Sequence, residues 1–371
     1  MRGTLRKSLF AVLMLAALAA LVYHSRGAIH LADFSWSRLK VALEGARLDL
    51  LVVSLTGIYV AYAVRSLRWM RFCRFLGPSR FSAVYSATVM GFAGIFLLGR
   101  AGEPVRPLLL ARKCRFSVSS MFGIYVLERI FDVASAAALA AVSLLVLPGL
   151  ISNDAADAGW ELKMRASGGA LFIGLLGFVA LLVYFRLHGA GALDRRLAGW
   201  RATPGWRRHL AVQFSGFSEG LQAIRSISDL SAALFYSAVH WALIAVIYML
   251  VLRAFGEETG ASGIRGAFVV LTITMVGSLV QLPGVGGGTQ IASFIALNSV
   301  LGVEQEPAMA AAIVLWLVTF AGACLGGVPL LIREGWSMGD LRRMARAEAE
   351  AEESGKHLSE AKTKSFSAHE R

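Results

Sequence analysis

The sequence predicts an all-α polytopic membrane protein with about six to eight transmembrane helices and one or two re-entrant or broken-helix segments. Three observations carry this reading. Apolar residues make up 56% of the 371 residues and charged residues only 16%, against roughly 25% charged in an ordinary soluble domain. The apolar residues gather in runs close to the roughly 20 residues that a helix needs to cross about 30 Å of hydrocarbon. The loops between those runs alternate between basic and acidic. A soluble fold is excluded, because helices that are apolar all round leave no polar face to cover them.

The first run, 8–23, follows Arg2, Arg6 and Lys7. It reads as a retained signal anchor, with a cleaved signal peptide as the alternative. A second span covers 46–64. A weaker apolar stretch, 83–98, contains Gly91 and Gly94 and is broken there and at Gly99. A long run from 118 to 147 stops at Pro148-Gly149, and further spans are expected near 168–185, 231–252, 266–282, 289–301 and 308–332. Each full span must be helical, since a lone segment in lipid has to satisfy its own backbone groups. Residues 1–335 therefore form one transmembrane unit. Residues 336–371 form a tail that alternates Ala with Glu from about Met344, then turns Lys/Ser-rich and is expected to fray into disorder.

Orientation follows from the Lys and Arg residues. Arg65, Arg68, Arg71, Arg74, Arg80, Arg100, Arg106, Arg112, Lys113 and Arg115 stand against a single acid, Glu103, between the second span and the long run. The stretch 186–225 is again basic, whereas Asp154, Asp157, Glu161, Glu257, Glu258, Glu304 and Glu306 mark the other loops. Basic loops, the N-terminus and the C-terminus are expected to be cytoplasmic, in a cell inner (cytoplasmic) membrane. The net charge of +13 expresses this asymmetry and an attraction to anionic headgroups. Spread among membrane loops, it does not suit nucleic acid.

Both flanks of 83–98 are basic, so a segment that enters and leaves on one side fits best. Both flanks of 266–301 are acidic, with Pro283 to Gly288 at the middle, which permits two short crossings or a second re-entrant pair. Gly/Pro-broken apolar segments, one in each half, point to a transport site, because irregular backbone at membrane depth survives only inside protein or along a watery cavity. Glu103 suits the cap of a helix beginning at Pro104. With Arg100 and Arg106 it also offers a charged cluster for a phosphate headgroup. Gly286, Gly287 and Gly288 before Thr289 present backbone N–H groups suited to an anion. Glu128 and Asp132 share a helix face, with Arg129 three residues from Asp132. They read equally as a structural ion pair at the membrane interface and as a functional site within the apolar run. His240 and Trp241 read as packing residues.

Three ordered motifs resemble one known family: Leu98-Gly99-Arg100-Ala101-Gly102-Glu103-Pro104-Val105-Arg106, then Glu128-Arg129-Ile130-Phe131-Asp132, then Pro283-Gly284-Val285-Gly286-Gly287-Gly288-Thr289. They are similar to the flippase-like family of the lysylphosphatidylglycerol synthase transmembrane region, over about 8 to 335. That resemblance implies translocation of a phospholipid, glycolipid or isoprenoid-linked lipid between leaflets. The chain departs from the synthase after Ile332, where too few residues follow for an aminoacyltransferase domain. No cofactor or metal is expected, since neither Cys-x-x-Cys nor His-Glu-x-x-His occurs. Nor is a disulfide framework, with Cys73, Cys114 and Cys324 scattered. The expected partners are membrane lipids with an anionic or lipid-linked headgroup; a second copy of the chain and a lipid-modifying enzyme are left open. The alternative function is a membrane-embedded enzyme or accessory subunit acting on a lipid-linked substrate, with Glu103, Glu128 or Asp132 as acid or base. An enzyme changes the mass of the lipid and a flippase only its leaflet.

Overall fold

The computed structural model describes residues 34–150, 158–188, 223–278, 281–282, 284, 286–337 and 339–340. The run at 8–23, most of the basic stretch 186–225, Pro283, Val285 and the tail beyond 340 lie outside them. The described chain is almost entirely helical, as expected, and five of its helices are long and apolar enough to cross a membrane.

A short amphipathic helix, α1 (Trp36–Glu44), starts at Ser35, whose Oγ accepts from Arg38 N. It is tied to the start of the last long helix, α10 (Gln305–Arg333), by an Arg38–Glu306 ion pair of 3.0 Å. The long helix α2 (Leu48–Cys73) packs antiparallel to α7 (Ile227–Ala254). Arg47 N donates to the Ala254 carbonyl at one end, and Arg71 donates to Ser228 Oγ at the other. Between them in sequence come α3 (Phe81–Leu98), α4 (Val105–Cys114), α5 (Val118–Val146) and α6 (Ala158–His188). After α7 come α8 (Gly263–Gly277) and α9 (Gly288–Ile295).

The second span is longer than expected. Helix α2 runs on through Arg65, Arg68 and Arg71, which the charge reading had placed in a loop. The reason is periodicity: Tyr62, Arg65, Ser66, Trp69 and Cys73 recur on one face, and all are buried. Charge did not end the helix, because the protein interior supplies counter-charges.

Helix α3 is also continuous; neither Gly91 nor Gly94 breaks it. The break comes at Gly99, which takes a positive φ of 64° that only glycine adopts without strain. After the single 3₁₀ turn Gly99–Gly102, α4 doubles back along α3. A Cβ on Gly102 would overlap the Gly94 carbonyl, and one on Gly91 would overlap the Arg106 side chain. These glycines therefore act as contact points between two helices. Lys113 at the end of α4 donates to Ser86 near the start of α3 at 2.7 Å, so the hairpin begins and ends at the same, basic end of the bundle.

The region expected to break near Pro283–Gly288 does so. Helix α8 stops at Gly277, a two-residue ribbon pairs Gln281 with Gly287 and Leu282 with Gly286, and α9 returns. Again a glycine sets the approach: a Cβ on Gly277 would overlap the Gly288 carbonyl and Ala292. This hairpin rises from the opposite, acidic end, where Glu304 N donates to Glu258. At about 1.5 Å per residue, α8 spans only about 22 Å, short of the hydrocarbon thickness. The two hairpins meet at their tips, where Gly284 N donates to the Phe96 carbonyl at 2.8 Å.

Two apolar clusters build the core. One holds Ile58, Tyr62, Val89, Ile247, Leu271 and Leu297 towards the acidic end. The other holds Trp69, Phe72, Leu109, Met121, Ile124 and Phe131 towards the basic end. The charged residues of α2 and α5 lie between them.

Candidate functional site

The centre is Glu128. It stands on α5 about 15 Å along the axis from Val118, and it is fully buried. Four arginines from three elements converge on it. Arg65 of α2 donates from Nε to Glu128 Oε1 at 2.7 Å, and Arg68 Nη2 donates to the same oxygen at 3.1 Å. Arg106 of α4 donates through Nη2 to Oε2, and Arg129 Nη2 approaches that oxygen at 3.5 Å. Asp132, one turn further along α5, receives Arg68 Nη2 at 2.9 Å and Arg129 Nη2 at 2.9 Å, together with Arg65 Nη2.

Helix α7 closes the network. Ser237 Oγ accepts from Arg68 Nη1 at 2.7 Å, and His240 Nε2 lies 3.3 Å from Arg65 Nη1. Arginine has no acceptor, so Nε2 must be the bare ring nitrogen; Nδ1 then carries the proton and faces the Ala61 carbonyl at 3.3 Å. Aromatic faces complete the setting. The Arg106 guanidinium lies 4.8 Å from the Trp69 ring centroid, and Phe92, stacked on Tyr62, lies beneath both Arg65 and Arg106. Such faces attract a cation that has been taken out of water.

Several sequence expectations change here. The Glu128–Arg129–Asp132 triplet is centred on a Glu128 fully buried inside the protein, because α5 begins well before it and three other elements cover it. Arg100, Glu103 and Arg106 do not gather into one described cluster. Arg106 turns inward to Glu128, Glu103 receives the Tyr125 hydroxyl, and the Arg100 side chain lies outside the described residues. Glu103 does not cap α4: the residue preceding that helix is Pro104, which makes no side-chain cap. At the second tip Gly286 and Gly287 pair with the ribbon, Gly287 N–H is taken by the Gln290 side chain, and Gly288 and Thr289 are buried. That N–H group is therefore already satisfied within the chain.

Arg65, Arg68, Ser237 and His240 were missed as site residues. The first two had a signal, the apolar period continuing to Cys73. The α7 pair had none, because nothing local distinguishes a buried serine or histidine that faces an arginine from one that faces a leucine. Among the described residues, no three His, Cys, Asp or Glu side chains come together as metal ligands would, and Cys73, Cys114 and Cys324 are free.

Long apolar helices around a buried charged centre, with two short hairpins meeting inside, define a multi-pass membrane protein built around a polar interior. The sequence pattern of the lysylphosphatidylglycerol synthase TM region matches residues 8–327, and the chain belongs to that family. No curated protein and no solved structure shows a match.

Proposed function

We propose that this protein moves a lipid with an anionic or lipid-linked headgroup between leaflets of the membrane. The observation that carries the reading is the contact between the two broken segments. Hairpins rising from opposite ends and touching through the Gly284–Phe96 hydrogen bond suit alternating access, in which either tip can yield while the other stays closed. The buried arginines stand within about one helical turn or two of that contact, since Gly91, which faces Arg106, precedes Phe96 on α3. A headgroup would pass along the arginines while its acyl chains stay in lipid. Family membership supports a lipid substrate, and the substrate class is a phospholipid, a glycolipid or an isoprenoid-linked lipid.

In this reading the basic end, with Arg71, Arg74, Arg80, Arg112, Lys113 and Arg115, faces the cytoplasm of a bacterial-type inner membrane. Cysteines placed near Asp157 and Arg201 should then label from opposite sides. The functional test is leaflet sidedness of a labelled lipid in reconstituted vesicles, with the mass of the lipid measured alongside. Expected is flipping without a mass change, lost in Arg106→Lys because a lysine offers a point charge where the fork is needed. Arg207→Lys is the control and should flip normally. A changed mass would favour a lipid-modifying enzyme, and normal flipping by both Arg106→Lys and Glu103→Gln would remove the headgroup route.

A further inference from the structure

We propose that the buried arginine centre binds a phosphate carrying two negative charges, a phosphomonoester or the end of a diphosphate, with Arg129 at its mouth. The inference deepens the translocation reading by naming the charge of the headgroup, and rests on it only for the identity of the cargo.

The first ground is charge balance. Arg65, Arg68, Arg106 and Arg129 bring four positive charges; Glu128 and Asp132 bring two negative ones. Two positive charges are left over in a place where Arg65, Arg68 and Arg106 are almost wholly withdrawn from solvent. Glu103 makes no ion pair within this set among the described residues; its carboxylate accepts from the hydroxyl of Tyr125, whose ring Arg129 covers. His240 adds no charge while it accepts from Arg65. A structural ion network approaches balance, because uncompensated charge in a low-dielectric interior is costly. An excess of two is the complement of a dianion.

The second ground is donor capacity. Arg106 Nη1 is buried without a hydrogen-bond partner among the described residues, and so are Arg129 Nε, Tyr62 Oη and Trp69 Nε1. Buried donors are nearly always satisfied. Arg106 Nη1, Arg129 Nε and the likewise unpartnered Arg68 Nε belong to arginines that bind Glu128, and such open donors suit a group with several acceptor oxygens. A phosphate monoester has three terminal oxygens and a charge of about −1.5 to −2 at neutral pH, whereas a diester offers two and a single charge.

The third ground is access. Arg129 has 38% of its side chain exposed and Asp132 12%, against 0% for Glu128. The centre is therefore graded from an open mouth to a closed floor. Guanidinium forks pair bidentately with phosphate oxygens, and Arg129 is placed to make the first such pair.

The test uses the purified full chain in detergent micelles doped with equal amounts of phosphatidic acid, phosphatidylglycerol and phosphatidylcholine. Retained lipid is read by native mass spectrometry. In parallel, inorganic phosphate and pyrophosphate are titrated calorimetrically. Phosphatidic acid should be retained about ten-fold over phosphatidylglycerol, since one extra charge is neutralised in a poorly screened site. Retention of phosphatidic acid identifies a lipid source for the dianion; pyrophosphate binding without it identifies a soluble one. Arg129→Gln should weaken binding of the preferred dianion about ten-fold. It should also leave the ligand-free unfolding temperature unchanged or raise it, because it removes an excess charge. Equal retention of both anionic lipids with no pyrophosphate binding would overturn the proposal. So would a lowered ligand-free unfolding temperature in Arg129→Gln, the mark of a balanced structural network. Loss of flipping with dianion binding intact counts against translocation alone.

Discussion

Arg65 and Arg68 stand on α2; Arg71 in its last turn and Arg74 just past its end repeat their spacing, and each pair faces acid on a neighbouring helix. The inner pair meets Glu128 and Asp132 of α5 with almost no solvent in reach. The outer pair meets Asp229 of α7, Arg71 at 3.0 Å and Arg74 at 3.4 Å, with the Arg74 side chain 64% exposed. Asp229 has local support as well: its Oδ2 accepts from Ser226 Oγ at 2.8 Å, and its own N–H is capped by that hydroxyl. Identical residue types thus perform two tasks. The outer set fastens the ends of α2 and α7 around a buried Asp229, with solvent reaching it from the Arg74 side. The inner set holds charge where removing a carboxylate strands the arginines around it. Two turns of helix separate a fastening from a centre.

Four substitutions sharpen or break this contrast, in falling order of effect. Glu128→Gln leaves four guanidiniums facing a neutral amide. Its loss in stability should reach about 3–5 kcal/mol, the range for breaking a buried ion pair, read as a lowered unfolding temperature in detergent. A loss no larger than that of an Asp229 variant would show that burial makes no difference here.

Arg68→Lys keeps the charge but cannot reach Ser237, Glu128 and Asp132 together. Losing charge-assisted hydrogen bonds of this kind should cost about 1.5–3 kcal/mol. Adding Ser237→Ala to it should then cost little more, which a double-mutant cycle would detect.

Asp229→Asn retains the size of the side chain and part of the local capping while losing two ion pairs. About 1 kcal/mol is expected, and the difference from wild type should shrink in high salt, because the Arg74 partner stands open to solvent and is screened. The Glu128→Gln difference should persist in the same salt series.

Arg74→Gln is expected within about 0.5 kcal/mol of wild type, as for an exposed long side chain with one distant partner. Unfolding midpoints of wild type and variant should overlap. A loss comparable to that of Arg68→Lys would mean that the outer end of α2 is covered by residues beyond those described.

The two hairpins repeat the lesson in backbone rather than charge. Gly102 and Gly277 each let one arm lie against a carbonyl of the other, and Gly277 was visible in the sequence as a glycine in an apolar stretch. Gly91 and Gly94 looked the same, yet α3 runs through them unbroken. A glycine marks a place where something comes close. Whether that is a turn or a second helix depends on the partner. Gly99, with its positive φ, is the glycine of the first hairpin at which the chain turns.

The sequence by itself determined the class of fold, the long spans, the two broken segments and the family, because these depend on local composition, on a helical period and on ordered motifs. It also singled out Glu128, Arg129 and Asp132, since charges inside an apolar run are costly wherever the run packs. Only the tertiary structure decided that Arg65, Arg68, Arg106 and His240 join them. A charge at the end of an apolar run looks the same in sequence whether water or a carboxylate neutralises it. In this chain the carboxylate stands more than sixty residues away from Arg65, and the distance is closed by packing that no local pattern encodes.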